Sequence, residues 1–359
     1  MERLKRLQID GISTINLTFA GLFHFLVDFF PISTFYFYLG LGTENFFITV
    51  LTYNVLAFGL QPFIGFLIDK KENIKHYFCV SSICLVLLGA FIPPNISIIN
   101  AILLGLGNAI FHVSFSKDVL KESKSSFPLG VFIAPGVLGL GIGLTFLNDI
   151  IRITLGVVMF VLLILYVAFI NIFKKKVEFC GEKYAKFDFS KYKTKGNLIF
   201  ILMIALVILS VFFRGALGKL TPNFEITNYF LIVSLVSFGA KISGGLFNKK
   251  ICLSISFLMC FLSAFFINDL TGTIFFVLSI NLLMPLTLDY LRKLLSNLEA
   301  TSLGISAFFL LVPVIFFTEV TDSVRNIFLI VFIVLHLLIL ILLFAFEVID
   351  KKIDQKEKL

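Results

Sequence analysis

His24 and Asp28 stand four residues apart inside the apolar run "NLTFAGLFHFLVDFFPISTF", and no other pair of residue types in the chain is better placed to do chemistry. On a helix the two share one face, about 6 Å apart. An ionisable group at mid-membrane costs on the order of 3 kcal/mol, so such groups usually face a cavity or a partner. A carboxylate beside an imidazole, partly withdrawn from water, can take up and release protons. The pair reads as a proton-coupling site; a packing hydrogen bond between helices, with the imidazole neutral, is the alternative.

Asn108 and His112 repeat the four-residue spacing in a later apolar run, with His112 expected near the cytoplasmic end. Arg214 follows "ILSVFF" and could bind an anionic group through its planar fork, or snorkel to the outer interface if its helix ends early. Asn281, four residues before Pro285, is a candidate hydrogen-bond donor to a substrate or a helix-helix contact. These four are the candidate substrate-cavity residues. Lys241 could face the same cavity, and His336 reads as structural.

Other chemistries find no support. There is no set of nucleophile, base and orienting group, no cluster with metal-ligand spacing, and no GxxxxGK(S/T) phosphate loop. The five Cys form no CxxC pair. The expectation is a non-enzyme with no cofactor and no metal, driven by ion gradients.

The elements that must position these residues follow from composition. Of 359 residues 58% are hydrophobic and 14% charged, and the mean hydropathy is +1.02, which excludes a water-soluble fold. A membrane-crossing helix needs about 20 apolar residues, and long unbroken runs exclude a barrel. Twelve spans are expected, near 13–38, 46–68, 76–92, 96–116, 127–147, 152–173, 197–218, 227–247, 251–268, 271–292, 301–319 and 326–347. Pro31 should kink the first span or end it at Phe30.

With both termini cytoplasmic, twenty-five of the thirty Lys and Arg residues fall in cytoplasmic segments, as the positive-inside rule requires. Basic charge scattered over short loops does not suit nucleic acid. Lys dominance with many Phe, Ile and Asn suggests a bacterial source. The polar stretch 174–196 divides an N-terminal bundle, 1–173, from a C-terminal one, 197–359. "GFLIDKK" at 65–71 recurs as "GGLFNKK" at 244–250, and "DVLK" at 118–121 echoes in "DYLR" at 289–292, so two six-helix repeats are expected.

Three motifs carry a family resemblance. "HFLVD" at 24–28, "LQPFIGFLIDK" at 60–70 and "GLGNAIFH" at 105–112 occur in order, and with them the chain resembles the major facilitator superfamily, most closely its fosmidomycin-resistance protein family. The superfamily loop signature falls on Gly65, Leu67, Asp69 and Lys70. The chain departs from the family in "HVSFSK" at 112–117, which lacks the Pro and carboxylate, and in the order Pro135-Gly136 of the Gly-rich fifth span. The resemblance implies twelve helices in two pseudo-symmetric halves, with spans 1, 4, 7 and 10 lining a central cavity. It also implies that Asp69 holds the halves together on the cytoplasmic side.

These observations predict an all-α polytopic protein of the bacterial cytoplasmic membrane, working as a monomer by alternating access. Its expected activity is proton-coupled efflux of a small organic molecule or drug through His24 and Asp28. Proton-coupled import of a small organic anion is the same-fold alternative, and a non-transporting scaffold or enzyme the alternative from another class.

Overall fold

The computed structural model describes residues 8–10, 12–38, 44–93, 97–146, 148–173, 196–220, 224, 228–316 and 322–356. After a two-stranded antiparallel hairpin, Gln8–Ile9 with Ile12–Ser13, everything regular is helical. We number the helices α1 (Thr14–Tyr38), α2 (Glu44–Gly59 and Gln61–Lys70), α3 (Lys75–Phe91), α4 (Ser97–Glu122), α5 (Phe127–Thr145) and α6 (Asp149–Phe173). The series continues with α7 (Gly196–Leu220), α8 (Tyr229–Leu246), α9 (Lys249–Ser263), α10 (Leu270–Leu294), α11 (Glu299–Phe316) and α12 (Asp322–Lys356). Among the described residues eleven of these are long and apolar enough to cross a membrane, and α3 is a shorter apolar helix.

The helices face a bilayer, and their surfaces show it. On α6, Ile150, Ile153, Val157, Phe160 and Ile164 are each more than half exposed, as are Ile327, Ile330, Val334, Leu338 and Ile341 on α12. Apolar stripes at three- and four-residue steps are tolerable only against lipid. Inside, beside a small cluster of Ile68, Val113 and Ala300, two large hydrophobic clusters form. One is drawn mainly from residues 12–170 and is rich in rings, including Phe23, Phe29, Phe111 and Phe132. The other is drawn from residues 203–346.

The first span keeps its expected extent and two other boundaries differ from the sequence reading, each for a physical reason. α1 passes through Pro31 without stopping, because the ring removes one donor while neighbouring helices hold the remaining turns. α2 breaks at Leu60, ahead of Pro62, and the Gln61 amide nitrogen donates to the Ala57 carbonyl at 2.7 Å across the break. α4 runs six residues beyond the expected end at 116, because its charges are paired: Lys75 Nζ lies 2.5 Å from an Asp118 oxygen and Lys117 donates to the Ile68 carbonyl at 3.0 Å. The segment 174–195, including Cys180, lies outside the described residues.

α1 packs on α5, α5 on α8 and α2 on α11. The α2–α11 approach is backbone to backbone. A Cβ at Gly65 would lie 2.6 Å from the Ala300 carbonyl oxygen, and one at Gly304 would meet the Gln61 backbone. Small residues let transmembrane helices close to this distance.

Candidate functional site

α1 and α4 bring four of the expected residues into one buried group. His24 Nε2 lies 3.3 Å from an Asp28 oxygen, as their shared helical face requires. From α4, the Asn108 amide donates to the other Asp28 oxygen at 3.1 Å, and His112 Nε2 lies 3.1 Å from His24 Nε2 and 3.9 Å from Asp28. His112 is not a helix-end residue open to water. Its side chain is 13% exposed, because the extension of α4 to Glu122 places it well inside the bundle.

Both imidazoles are oriented by backbone. His24 Nδ1 faces the Phe132 carbonyl of α5 at 2.7 Å, and His112 Nδ1 faces the Asn108 carbonyl at 3.0 Å. A carbonyl only accepts, so each Nδ1 carries the hydrogen, and in the neutral ring Nε2 is a lone pair. Gly136 of α5 closes the group from behind: any Cβ there would strike the His24 ring and the Asp28 carboxylate. The Pro135-Gly136 step of the fifth span therefore supplies the bare backbone that this cluster needs.

Lys241 of α8 reaches the same wall, donating from Nζ to the Ile133 carbonyl at 3.3 Å, within electrostatic range of Asp28. Tyr53 of α2, also buried, borders the group on the Asn108 side. The sequence signal for Tyr53 is faint, a lone hydroxyl in an apolar run.

Arg214 and Asn281 do not join this group. Arg214 is 6% exposed and does not snorkel, because α7 continues to Leu220. Its Nη1 donates to the Thr287 hydroxyl of α10 at 3.3 Å, and its buried Nη2 has no hydrogen-bond partner among the described residues. The Asn281 amide is spent on Ser237 of α8 at 3.2 Å and the Val277 carbonyl at 2.8 Å, which is the helix-helix contact.

The loop signature divides in two. Asp69 accepts from the backbone N–H groups of Ala300 and Thr301, at 3.2 and 2.8 Å, and from the Thr301 hydroxyl at 2.8 Å. A carboxylate at the start of α11 is where the helix presents free donors and the positive end of its dipole. Lys117 Nζ sits 3.5 Å from Asp69. Gly65 forms the close contact with Ala300. Leu67 is exposed and Lys70 lies over the Phe66 ring, so these two stay out of the contact.

A second tie lies at the same end. Arg292 of α10 donates to the carbonyls of Leu120 and Ser123 at 2.8 and 2.5 Å while paired with Asp289 at 2.6 Å. The "DVLK"/"DYLR" echo is realised here: Asp118 pairs with Lys75 at the start of α3, and Asp289 with Lys249 at the start of α9, 3.7 Å away.

The sequence reading expected no metal-ligating cluster. Among the described residues, ligand atoms of His24, Asp28 and His112 nonetheless all lie within 4.8 Å of one another. Sequence spacing could not show it, because His112 joins through tertiary packing.

No protein-family model matches the chain, and no curated protein matches it. Solved structures do. A crystal structure of FucP, a major facilitator superfamily transporter, in the outward conformation has a TM-score of 0.61 at 14% identity, over 92% of this chain and 98% of that one. A structure of a variant of the E. coli fucose:proton symporter FucP has a TM-score of 0.61 at 13% identity, over 94% of this chain and 99% of that one. The chain is a multi-pass all-α membrane protein with the fold of major facilitator superfamily transporters.

Proposed function

We propose that the protein is a proton-coupled secondary active transporter that moves a small organic molecule across the bacterial cytoplasmic membrane by alternating access. One observation carries the reading: Asp28 is held inside the bundle by His24, Asn108 and His112. A carboxylate and two imidazoles withdrawn from water are costly to keep unless they exchange a cation such as a proton. The fold shared with a fucose:proton symporter supports it.

In this reading residues 1–173 and 197–359 are the two rocking bundles, joined by a cytoplasmic linker at 174–196, with both termini cytoplasmic and the protein a monomer. Asp69 on the start of α11 and Arg292 on the end of α4 close the cytoplasmic side, and protonation at His24 and Asp28 biases which side opens. Efflux, the direction implied by the motif likeness to fosmidomycin-resistance proteins, is the first reading of direction. Arg214 favours a second, symport of a small organic anion, because a buried guanidinium nitrogen without a partner leaves a place for a carboxylate or phosphonate oxygen.

The test is proton movement in proteoliposomes with a trapped pH dye during a substrate screen. Wild type should move protons only when substrate moves; Asp28→Asn should still exchange substrate without moving protons. Opposite directions of proton and substrate mean efflux by antiport, and the same direction means symport. Equal proton movement in both proteins would remove Asp28 as the coupling residue.

A further inference from the structure

The imidazole pair has a property that proton coupling does not require. With both Nδ1 hydrogens committed to the carbonyls of Phe132 and Asn108, two Nε2 lone pairs point at each other across 3.1 Å, with the Asp28 carboxylate 3.3 and 3.9 Å from them. The side chains of His24, Asp28 and His112 are only 6%, 14% and 13% exposed, and electron-pair donors converging in so enclosed a place repel unless an electrophile sits among them.

We propose that His24 Nε2, His112 Nε2 and the Asp28 carboxylate form a binding site for a divalent transition-metal cation. Bond lengths of about 2.0–2.1 Å to imidazole nitrogen place two ligands about 2.9 Å apart at octahedral cis positions and about 3.4 Å apart at tetrahedral ones; the observed 3.1 Å lies between. Hydrogen bonds from the far ring nitrogens to backbone carbonyls are the usual outer support of metal-bound histidine, fixing the tautomer and the ring direction. Two imidazoles and one carboxylate suit Zn2+, Co2+ or Ni2+, whereas Mg2+ and Ca2+ prefer oxygen cages. Gly136 supplies the room in which ring and carboxylate converge.

Lys241 opposes the ion. Its ammonium lies in electrostatic range of Asp28 and repels a dication, so the site is expected to be weaker than a structural zinc site, and removing that charge should tighten it. The inference goes beyond proton coupling and does not depend on it: the donor set can hold a metal whether or not the protein moves protons.

The experiment uses purified, tag-free full-length protein stripped with a chelator. Co2+ titration should produce a visible ligand-field band saturating at one ion per chain, abolished by added Zn2+. His24→Gln and His112→Gln should each weaken binding by at least about tenfold, His336→Gln should leave it unchanged, and Lys241→Met should strengthen it. Circular dichroism checks that each variant is folded. If the histidine variants do not fold, Lys241→Met decides, since only a bound cation makes loss of a lysine raise affinity. Absence of a one-to-one band, or equal affinity in the His24→Gln/His112→Gln double variant, would overturn the site. Proton movement measured in chelator-containing buffer keeps failure of the metal site apart from failure of proton coupling.

Discussion

His24 Nε2 and His112 Nε2 lie 3.1 Å apart across the α1–α4 contact, although 88 residues separate them in the chain. The distance depends on Gly136 behind the His24 ring. An added methyl there meets both the ring and the Asp28 carboxylate, so the cluster is as much a property of α5 as of the helices that carry its side chains.

Gly136→Ala should therefore disrupt the group. Alanine favours a helix by about 1 kcal/mol over glycine, but overpacking a buried contact costs about 1–3 kcal/mol. Net destabilisation with loss of coupled proton movement is expected. Gly218→Ala is the control: no described residue lies within 4 Å of its added Cβ, so its melting temperature should stay level or rise. A Gly136→Ala protein with wild-type proton coupling would show that the cluster tolerates displacement.

Asp69→Asn keeps size but weakens three hydrogen bonds to the start of α11. Bonds to a charged group contribute about 1.5–3 kcal/mol each, and neutral ones roughly half as much. Substrate binding should survive, turnover should slow, and a cysteine replacing the buried Ser302 at the start of α11 should label faster from the cytoplasmic side. Wild-type turnover with unchanged labelling would reduce Asp69 to a charge that only sets topology.

Arg292 predicts a second, separable effect. Its fork spans Asp289 on its own helix and the Leu120 and Ser123 carbonyls on the other bundle, a geometry lysine cannot reproduce. Arg292→Lys should lower the melting temperature and, combined with Asp69→Asn, give more than additive exposure of the cytoplasmic side. Strict additivity would mean that the two ties do not close the same gap.

Much of this was legible in the chain, because lipid requires apolar runs of fixed length and an i, i+4 pair shares a face whatever surrounds it. His24 with Asp28, Asn108 with His112, and the twelve-helix architecture follow from those local rules. The union of the two pairs does not, because it depends on how α1 and α4 pack. The extent of α4 was hidden for a related reason: Lys117 and Asp118 look like the end of a span, yet each is neutralised by a residue more than forty positions away. Arg214 and Asn281 looked alike as polar residues in apolar helices. Only their neighbours separate them: among the described residues one has a guanidinium nitrogen with no partner, while the other's amide nitrogen holds Ser237 and the Val277 carbonyl.

Orientation is tested at Cys180, which lies outside the described residues. The placement of twenty-five of thirty basic residues predicts that it is cytoplasmic. It should resist a membrane-impermeant thiol reagent in intact cells and react after permeabilisation. Labelling in intact cells would invert the topology and exchange the two faces of the protein.

On the anion-symport reading, Arg214 selects a negatively charged substrate. Its guanidinium is buried, one nitrogen holds Thr287 and another has no partner among the described residues, so an anionic oxygen can complete it without breaking a bond seen there. Losing one partner of a buried, hydrogen-bonded charge pair costs about 2–5 kcal/mol, so Arg214→Gln should weaken binding of an anionic substrate at least about thirtyfold. Arg214→Lys, which keeps the charge but not the fork, should fall between the two. Binding is read by the substrate-induced rise in melting temperature, which also reports whether each variant is folded. A substrate whose affinity is the same in all three proteins does not meet Arg214, and the anion-symport reading would then fail while proton coupling at Asp28 could still stand.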